Sequence, residues 1–333
     1  MDFRLDDDQI ALRDAVRKLS ERYFALEAVA SREGAPAADP AWRDLAAMGI
    51  FELLVPADDE APGSGTVTAA VALEELSAHL ATGPVLWTTI TAPVLPGGEI
   101  DAGRVAGVLV GGDADGPVVI EHAAEAGVVI VVYSDRIERV ETASLPEVIA
   151  GEPSDPLTPT VAYGSLPSGE AIGGPDEARS IRLAGTVLAA AQLVGVAQGA
   201  LDVAAAYALE RHQFGVPIGS FQAIKHLLSD MYVRVELARS STYAAAAILD
   251  DERGGDAARA AGAAKLLAGQ AGIDNGRAAV QILGGMGFTW DMLPHYFLRR
   301  AWVLEQSFGT AESHALALGD ALGAALDLAS VET

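Results

Sequence analysis

From Tyr207 to His226 the chain reads Tyr-Ala-Leu-Glu-Arg-His-Gln-Phe-Gly-Val-Pro-Ile-Gly-Ser-Phe-Gln-Ala-Ile-Lys-His, and the residues on either side leave this stretch little freedom of shape. Up to Arg211 it closes a long Ala-rich helical run, which Gly215, Pro217 and Gly219 then break. Ser220 is the expected N-cap of the next helix, where Phe221, Ile224, Leu227, Leu228 and Met231 resume an apolar stripe at helical spacing. Two long helices therefore meet at a tight corner that presents Arg211, Gln213 and the ring of Phe214. A guanidinium beside loop amides and an aromatic ring suits an anionic, partly aromatic ligand. Taken alone, Arg211 reads as a surface ion pair.

The 333 residues, half of them hydrophobic, suffice for a large core and for two or three domains. The absence of cysteine excludes a disulfide framework, a thiolate metal site and a cysteine nucleophile, and it fits a reducing cytoplasm. A net charge of −24 argues against nucleic acid or an anionic membrane as the main partner, although a few local arginines can still hold an anionic cofactor. Met1 to Asp8 has no apolar region of the kind a signal peptide needs. Leu183 to Leu201 is uncharged and long enough to mimic a membrane span, yet its Ala and Gly content and its glutamines, Gln192 and Gln198, predict a buried core helix. His122, His212, His226, His295 and His314 show no metal-ligand spacing and are expected on the surface or in packing.

Taken in order, residues 1–95 read as helical. Asp6 and Gln9 form a capping-box pattern ahead of a face made by Leu12, Val16, Leu19 and Tyr23, and further helices are expected over Trp42–Met48 and Val67–Leu80, with a loop at Pro56–Gly65. Over residues 96–175 the composition turns to β-branched runs broken by Gly and Pro. Val105–Val110, Val118–Ile120, Val128–Tyr133 and Ile137–Val140 are the expected strands of a small antiparallel domain, and Gly111–Gly116 a loop or hairpin turn. Over residues 176–333 the pattern is helical again, with helices expected near 178–212, 220–250, 256–283, 293–305 and 311–328, and a turn at Asp250–Gly255. Their small-residue faces suit a tight four-helix bundle.

A second Gly-rich stretch, Gln281-Ile-Leu-Gly-Gly-Met-Gly-Phe288, ends one of these helices. Arg-x-x-Phe-Gly followed by Gln-x-x-Gly-Gly-x-Gly-Phe resembles the C-terminal half of the acyl-CoA dehydrogenases. Met-Asp-Phe-x-Leu at the start, Leu-Ala-Ala-Met-Gly-Ile at 45–50 and Leu-Glu-Glu-Leu at 73–76 resemble their N-terminal helical domain. The resemblance spans the chain and implies an α-helical domain, a shortened antiparallel β domain and a C-terminal four-helix bundle. It also implies FAD as cofactor and α,β-desaturation of an acyl-CoA thioester. In this family the cofactor lies across a subunit interface. Arg211, Gln213, Phe214, Phe221, Gln222 and the segment Gln281, Ile282, Leu283, Gly284 and Gly285 match positions on its adenosine and pyrophosphate side.

Desaturation in this family needs a glutamate to take the α-proton. Aligned on Gly309-Thr310, the usual place for that glutamate holds Phe308; the other place known in the family falls near Gly185, with no carboxylate within a turn on its C-terminal side. Glu305 and Glu312 are the acidic residues nearest Phe308. Following Arg299 and Arg300, Glu305 is expected to be an ion-pair partner, and Glu312 to complement a helix N-terminus. The Thr-Glu-Pro-x-x-Gly-Ser-Asp segment that lines flavin and substrate in the family has no match between 85 and 175. These departures resemble the small, base-lacking subunits of actinobacterial α2β2 dehydrogenases, several of which act on steroid side-chain thioesters. The resemblance implies a homologous partner subunit that carries the glutamate and binds most of the acyl-CoA, and a separate electron-transfer acceptor. Two alternatives stay open: a self-sufficient enzyme using Glu305 or Glu312, and a flavin-free helical scaffold.

Overall fold

The computed structural model describes residues 4–56, 64–95, 103–111, 117–146, 148–149, 152–251 and 255–331. The expected loop at Pro56–Gly65, most of Gly111–Gly116 and the centre of the Asp250–Gly255 turn lie outside them.

The chain opens with helices α1 (Asp7–Tyr23), α2 (Asp39–Ala47), α3 (Gly65–Ala78) and α4 (Val85–Thr91). The capping box forms: Asp6 Oδ1 accepts from Gln9 N–H at 2.8 Å, and Gln9 Oε1 accepts from Asp6 N–H at 3.1 Å. Helix α4, buried along its length, falls in the stretch read as helical without being singled out there; its Val-Leu-Trp-Thr-Thr-Ile-Thr sequence has β-branched residues that a helix tolerates only because tertiary packing overrides propensity.

Seven strands follow: β1 (Val105–Leu109), β2 (Val118–Glu121), β3 (Val128–Val132), β4 (Ile137–Glu141), β5 (Val148–Ile149), β6 (Thr160–Tyr163) and β7 (Glu170–Gly173). They form two sheets, ordered β1-β3-β4-β7 and β2-β6-β5. The expectation of an antiparallel domain needs one correction: β1 runs parallel to β3. The reason is topological, because the chain between them leaves to place β2 in the other sheet and returns from the same end, and a crossover of that length is what a parallel pair requires.

The second helical part comprises α5 (Pro175–Glu210), α6 (Gln222–Asp250), α7 (Ala257–Leu283), α8 (Pro294–Gln306) and α9 (Ala311–Val331). Helix α5 lies at the centre, packed on α3, α6, α7 and α8. Its glycines permit this: a Cβ at Gly195 would lie 2.1 Å from Glu74 O, and one at Gly199 would lie 2.6 Å from Ala78 O, so any side chain there would push α3 away. By length and composition α5 could cross a membrane, but 78% of its apolar window is buried inside the protein. One apolar core runs through the helices on both sides of the strands, and a second, smaller core lies between the sheets. Each large side chain fully buried in the first, such as Phe24, Phe51 or Phe297, contributes about 1.5–3 kcal/mol of transfer free energy.

Candidate functional site

The corner between α5 and α6 is a short hairpin. Arg211 caps α5, its N–H donating to Tyr207 O at 2.8 Å and its carbonyl accepting from Ile218 N–H at 2.7 Å. His212 and Gln213 pair with Pro217 and Val216. The two turn residues, Phe214 and Gly215, both have positive φ, 53° and 83°, as a two-residue turn of primed type requires. Phe214 is 94% exposed and meets Phe221 edge to face at 6.3 Å. Arg211, Gln213 and Gln222 are exposed as well. Ser220 is not the N-cap of α6. Its hydroxyl donates back to Pro217 O at 2.7 Å, and the extended backbone of Phe221 starts the helix instead.

Helix α7 brings the second motif to the same end of the bundle. Asn275 Nδ2 donates to Met231 O at 3.1 Å and so sets the register between α6 and α7, which run antiparallel. Following that register toward the start of α6 and the end of α7 brings Gln281–Gly285 level with Phe221–Lys225. Gln281 is exposed. Ile282 and Leu283 are buried, so any ligand contact they make is through backbone. Gly284 has φ 62°, and a Cβ built on Gly284 or Gly285 would meet nothing within 4 Å, which leaves this backbone open to close approach from outside. A guanidinium, the N-terminus of a long helix and an accessible glycine backbone are a donor set for phosphate oxygens, and the exposed rings beside them suit an aromatic group. These residues fit the phosphate half of a dinucleotide.

The two places expected to lack the base touch each other. Phe308 (φ 57°) is buried, and a Cβ built on Gly185 would lie 2.0 Å from its Cε1. The Phe308 ring leans on Trp87, with centroids 5.1 Å apart, and the indole in turn covers Gly107, whose Cβ would lie 2.0 Å from Trp87 Cε3. A continuous wall therefore runs from β1 through α4 and the α8–α9 turn to α5. Trp87 was not legible as part of this site, because only the fold brings it there.

The turn that carries Phe308 is clamped from below. Lys265 on α7 is fully buried and its ammonium donates to Glu305 O at 2.8 Å and Gly309 O at 2.7 Å. Burial lowers the Lys265 pKa to about 8, with Glu305 acting weakly in the other direction. His314 Nε2 lies 3.0 Å from Phe308 O. Glu305 does not pair with Arg299 or Arg300 as expected. Its Oε1 accepts from Ala311 N–H at 2.8 Å at the start of α9, while Arg300 Nε is held 2.5 Å from Asp155 Oδ2 and Arg299 lies over the Trp290 ring. Glu312 is exposed in the first turn of α9. Above the wall a cleft of about 790 Å³ opens between the strands and the bundle, bordered by Trp87, Val119, Glu121, Ile273, Trp302 and Phe308.

Comparison with known proteins agrees with this architecture. Residues 6–98 match the acyl-CoA dehydrogenase N-terminal domain, and residues 184–323 match the acyl-CoA dehydrogenase C-terminal domain. The chain is 30% identical over 316 residues to acyl-CoA dehydrogenase IpdE2 of Mycolicibacterium smegmatis, covering 92% of this chain and 96% of that protein. It is 32% identical over 324 residues to acyl-CoA dehydrogenase FadE34 of Mycobacterium tuberculosis, covering 89% of this chain but only 45% of the relative. Among solved structures, the Tcur3481–Tcur3483 steroid ACAD G363A variant superposes with a TM-score of 0.82 at 23% identity, over 96% of this chain and 99% of that one. The ChsE4–ChsE5 complex from Mycobacterium tuberculosis also gives 0.82, at 21% identity, over 97% and 99%. At these identities the two structures establish the fold alone.

Proposed function

The chain belongs to the acyl-CoA dehydrogenase family, and on that premise we propose that it is the non-catalytic subunit of a hetero-oligomeric, FAD-dependent acyl-CoA dehydrogenase. The observation that carries this reading is the Phe308 ring packed into the space beside Gly185. Neither place can present a carboxylate, and a phenyl ring accepts no proton. The bundle end, by contrast, keeps its full donor set.

Bound there, FAD supplies the hydride acceptor for Cβ while a base removes the α-proton. This chain's residues hold the cofactor's phosphate side. The Arg211 guanidinium pairs with pyrophosphate oxygens, the start of α6 at Gln222 adds its helix dipole, and Gly284–Gly285 let the ligand approach the backbone. Gln213 and Gln281 contribute amide hydrogen bonds, and Phe214 and Phe221 cover the ligand. The homologous partner subunit supplies the glutamate and most of the acyl-CoA site, and an external carrier takes the electrons. A bulky acyl group such as a steroid side chain is the proposed substrate, as the resemblance to the base-lacking actinobacterial subunits implies; a cytoplasmic setting is proposed from the cysteine-free composition.

A self-sufficient enzyme using Glu305 or Glu312 has less support, since Glu305 Oε1 is engaged by Ala311 N–H and Glu312 points to solvent from α9. Expression alone and with candidate homologous subunits separates these readings. Flavin absorbance is expected only in the co-purified complex. A yellow, thioester-reducible protein from this chain alone contradicts the proposal, and a colourless complex does so as well.

A further inference from the structure

A separate cavity of about 580 Å³ lies between α1, α3, α5 and α6 and shares no bordering residue with the cleft beside Phe308. None of the residues at the Arg211 corner or the Gln281–Gly285 turn borders it either. Its size is within the range of small-molecule sites. Its character is set by charge: Arg13 and Arg17 on α1, Glu74 and Glu75 on α3, Asp202 on α5 and Arg239 on α6 all border one space.

Most of these groups are matched to each other. Arg17 holds both oxygens of Glu75, Nε donating to Oε1 and Nη2 to Oε2, each at 2.9 Å. Glu74 is complete as well, its Oε1 accepting from Arg239 Nε at 2.8 Å and its Oε2 from the Tyr243 hydroxyl at 2.9 Å. Arg239 also donates to Glu236, and its Nη2 donates to Gln198 Oε1 at 2.9 Å. These pairs are charge-assisted and saturated, so they hold the wall in place and ask nothing of a ligand.

Three groups remain. Gln198 Nε2 donates to Asp202 Oδ1 at 2.8 Å, while Asp202 Oδ2 has no partner among the described residues. His79, just past α3, has Nδ1 3.1 Å from Glu75 O. A carbonyl only accepts, so Nδ1 carries the proton and Nε2 of the neutral ring is left as an acceptor. His79 and Asp202 are close enough for a charge on the imidazole to act on the carboxyl. Arg13 has the opposite character. Its Nε is buried without a partner, and its ion pair is a long one, 3.6 Å from Nη2 to Asp14 Oδ1. It stands close enough to Tyr243 to act on the phenol. A guanidinium with a free donor and a carboxylate with a free oxygen thus border the same cavity without meeting.

We propose that this cavity binds a free α-amino acid as its zwitterion, with the carboxylate on Arg13 and the ammonium on Asp202 Oδ2 and His79 Nε2. The ammonium has three donors and here finds two acceptors, and a guanidinium holds a carboxylate through two parallel bonds. A simple anion would leave Asp202 unanswered and place like charge beside it, and a simple cation would do the same to Arg13. Leu5, Leu26 and Ala78 make up the apolar part of the border and suit an apolar side chain such as that of leucine. Flavin plays no part in this site, so its failure and that of the shared-cofactor reading, which stands or falls on flavin occupancy, are distinguishable.

The test is isothermal titration calorimetry on the assembly the chain forms on expression. The probes are L-leucine, L-methionine and L-phenylalanine, with isoamylamine and isocaproate, which are leucine without its carboxylate and without its amine, as controls. At least one amino acid is expected to bind with a Kd below about 1 mM, and both controls about tenfold more weakly or worse. Arg13→Gln and Asp202→Asn are each expected to weaken the amino acid about tenfold, the loss of one charge-assisted contact. Asp202 is exposed and Arg13 half-buried, so neither change disturbs the core, and unaltered urea midpoints check this. No binding of any of the three amino acids at about 10 mM, binding of either control as tight as that of leucine, or amino-acid binding unchanged in either variant overturns the proposal.

Discussion

Phe308 and Gly185 occupy one another's functional space: the ring of the first fills the volume that any side chain on the second would need, with only 2.0 Å between Phe308 Cε1 and a Cβ at Gly185. Both positions at which the resemblance leads one to expect a base are thereby closed by a single contact. The glycine is required by the phenylalanine, since the ring leaves no room for a side chain at position 185.

That mutual dependence is measurable. Gly185→Ala overpacks the contact and is expected to cost about 1–3 kcal/mol in urea unfolding. Phe308→Ala leaves a cavity beside Trp87 and costs about 3–5 kcal/mol. The double variant is expected to lose less than the sum, because the new methyl enters the space the ring has left. Strict additivity would show that the two residues do not share that space. Phe308→Glu is expected to create no activity, since a carboxylate placed among Trp87 and Gly185 is desolvated and takes up a proton.

The cofactor reading makes a graded prediction. Arg211→Ala is expected to weaken flavin retention in the complex by about 2–5 kcal/mol, the range for truncating one partner of a desolvated charge pair. Gln281→Ala is expected to weaken it less. Equilibrium dialysis of released flavin provides the measurement, and full occupancy in Arg211→Ala would remove the arginine from the site.

Lys265 gives a pH signature with a definite sign. Its pKa is lowered from an ordinary 10.5 to about 8 in the folded protein. Between those values the unfolded chain binds the additional proton, so this residue's contribution makes stability rise with pH from about 8 to 10.5 and leaves it level below 8. Urea midpoints of wild type and Lys265→Met, compared between pH 7 and 10, isolate the effect from other titrating groups. The wild-type curve is expected to climb relative to the variant; parallel curves would mean that Lys265 titrates normally.

Much of this is legible in the sequence. The long helices follow from apolar periodicity with ends marked at Asp6 and in the Gly-rich stretch after Leu283, and the structure sets them within a few residues of expectation. The exposed corner at Arg211, Gln213 and Phe214 follows from three helix breakers in close succession. Non-local relationships were not readable. Nothing in Thr160–Tyr163 marks it as the centre of a sheet, because that role depends on β2 and β5 arriving from elsewhere. Ser220 has the right residue type for an N-cap but sits one residue too early, since the 3-10 turn at Ile218–Ser220 uses its hydroxyl. Lys265 did leave a trace, a lone charge on an otherwise apolar helical face, but its partners are backbone carbonyls that no side-chain pattern reveals.

The bundle end also predicts assembly. Phe288 is 83% and Leu209 is 71% exposed, and with Phe214 they leave apolar surface beside the proposed cofactor site. The chain expressed alone is expected to be poorly soluble or to form a flavin-free homo-oligomer, and to redistribute into a mixed complex with its partner subunit. Sedimentation velocity showing a well-behaved monomer, unchanged by the partner, would contradict this.

The most direct measurement is thioester-dependent flavin bleaching of the complex with the partner subunit's base glutamate changed to Gln and this chain left intact. Complete loss of bleaching is expected, with flavin occupancy retained, because Phe308 and Gly185 give this chain no base positioned against a flavin. Residual bleaching that disappears when Glu305 or Glu312 of this chain is changed to Gln would show that the chain is itself a catalytic desaturase subunit.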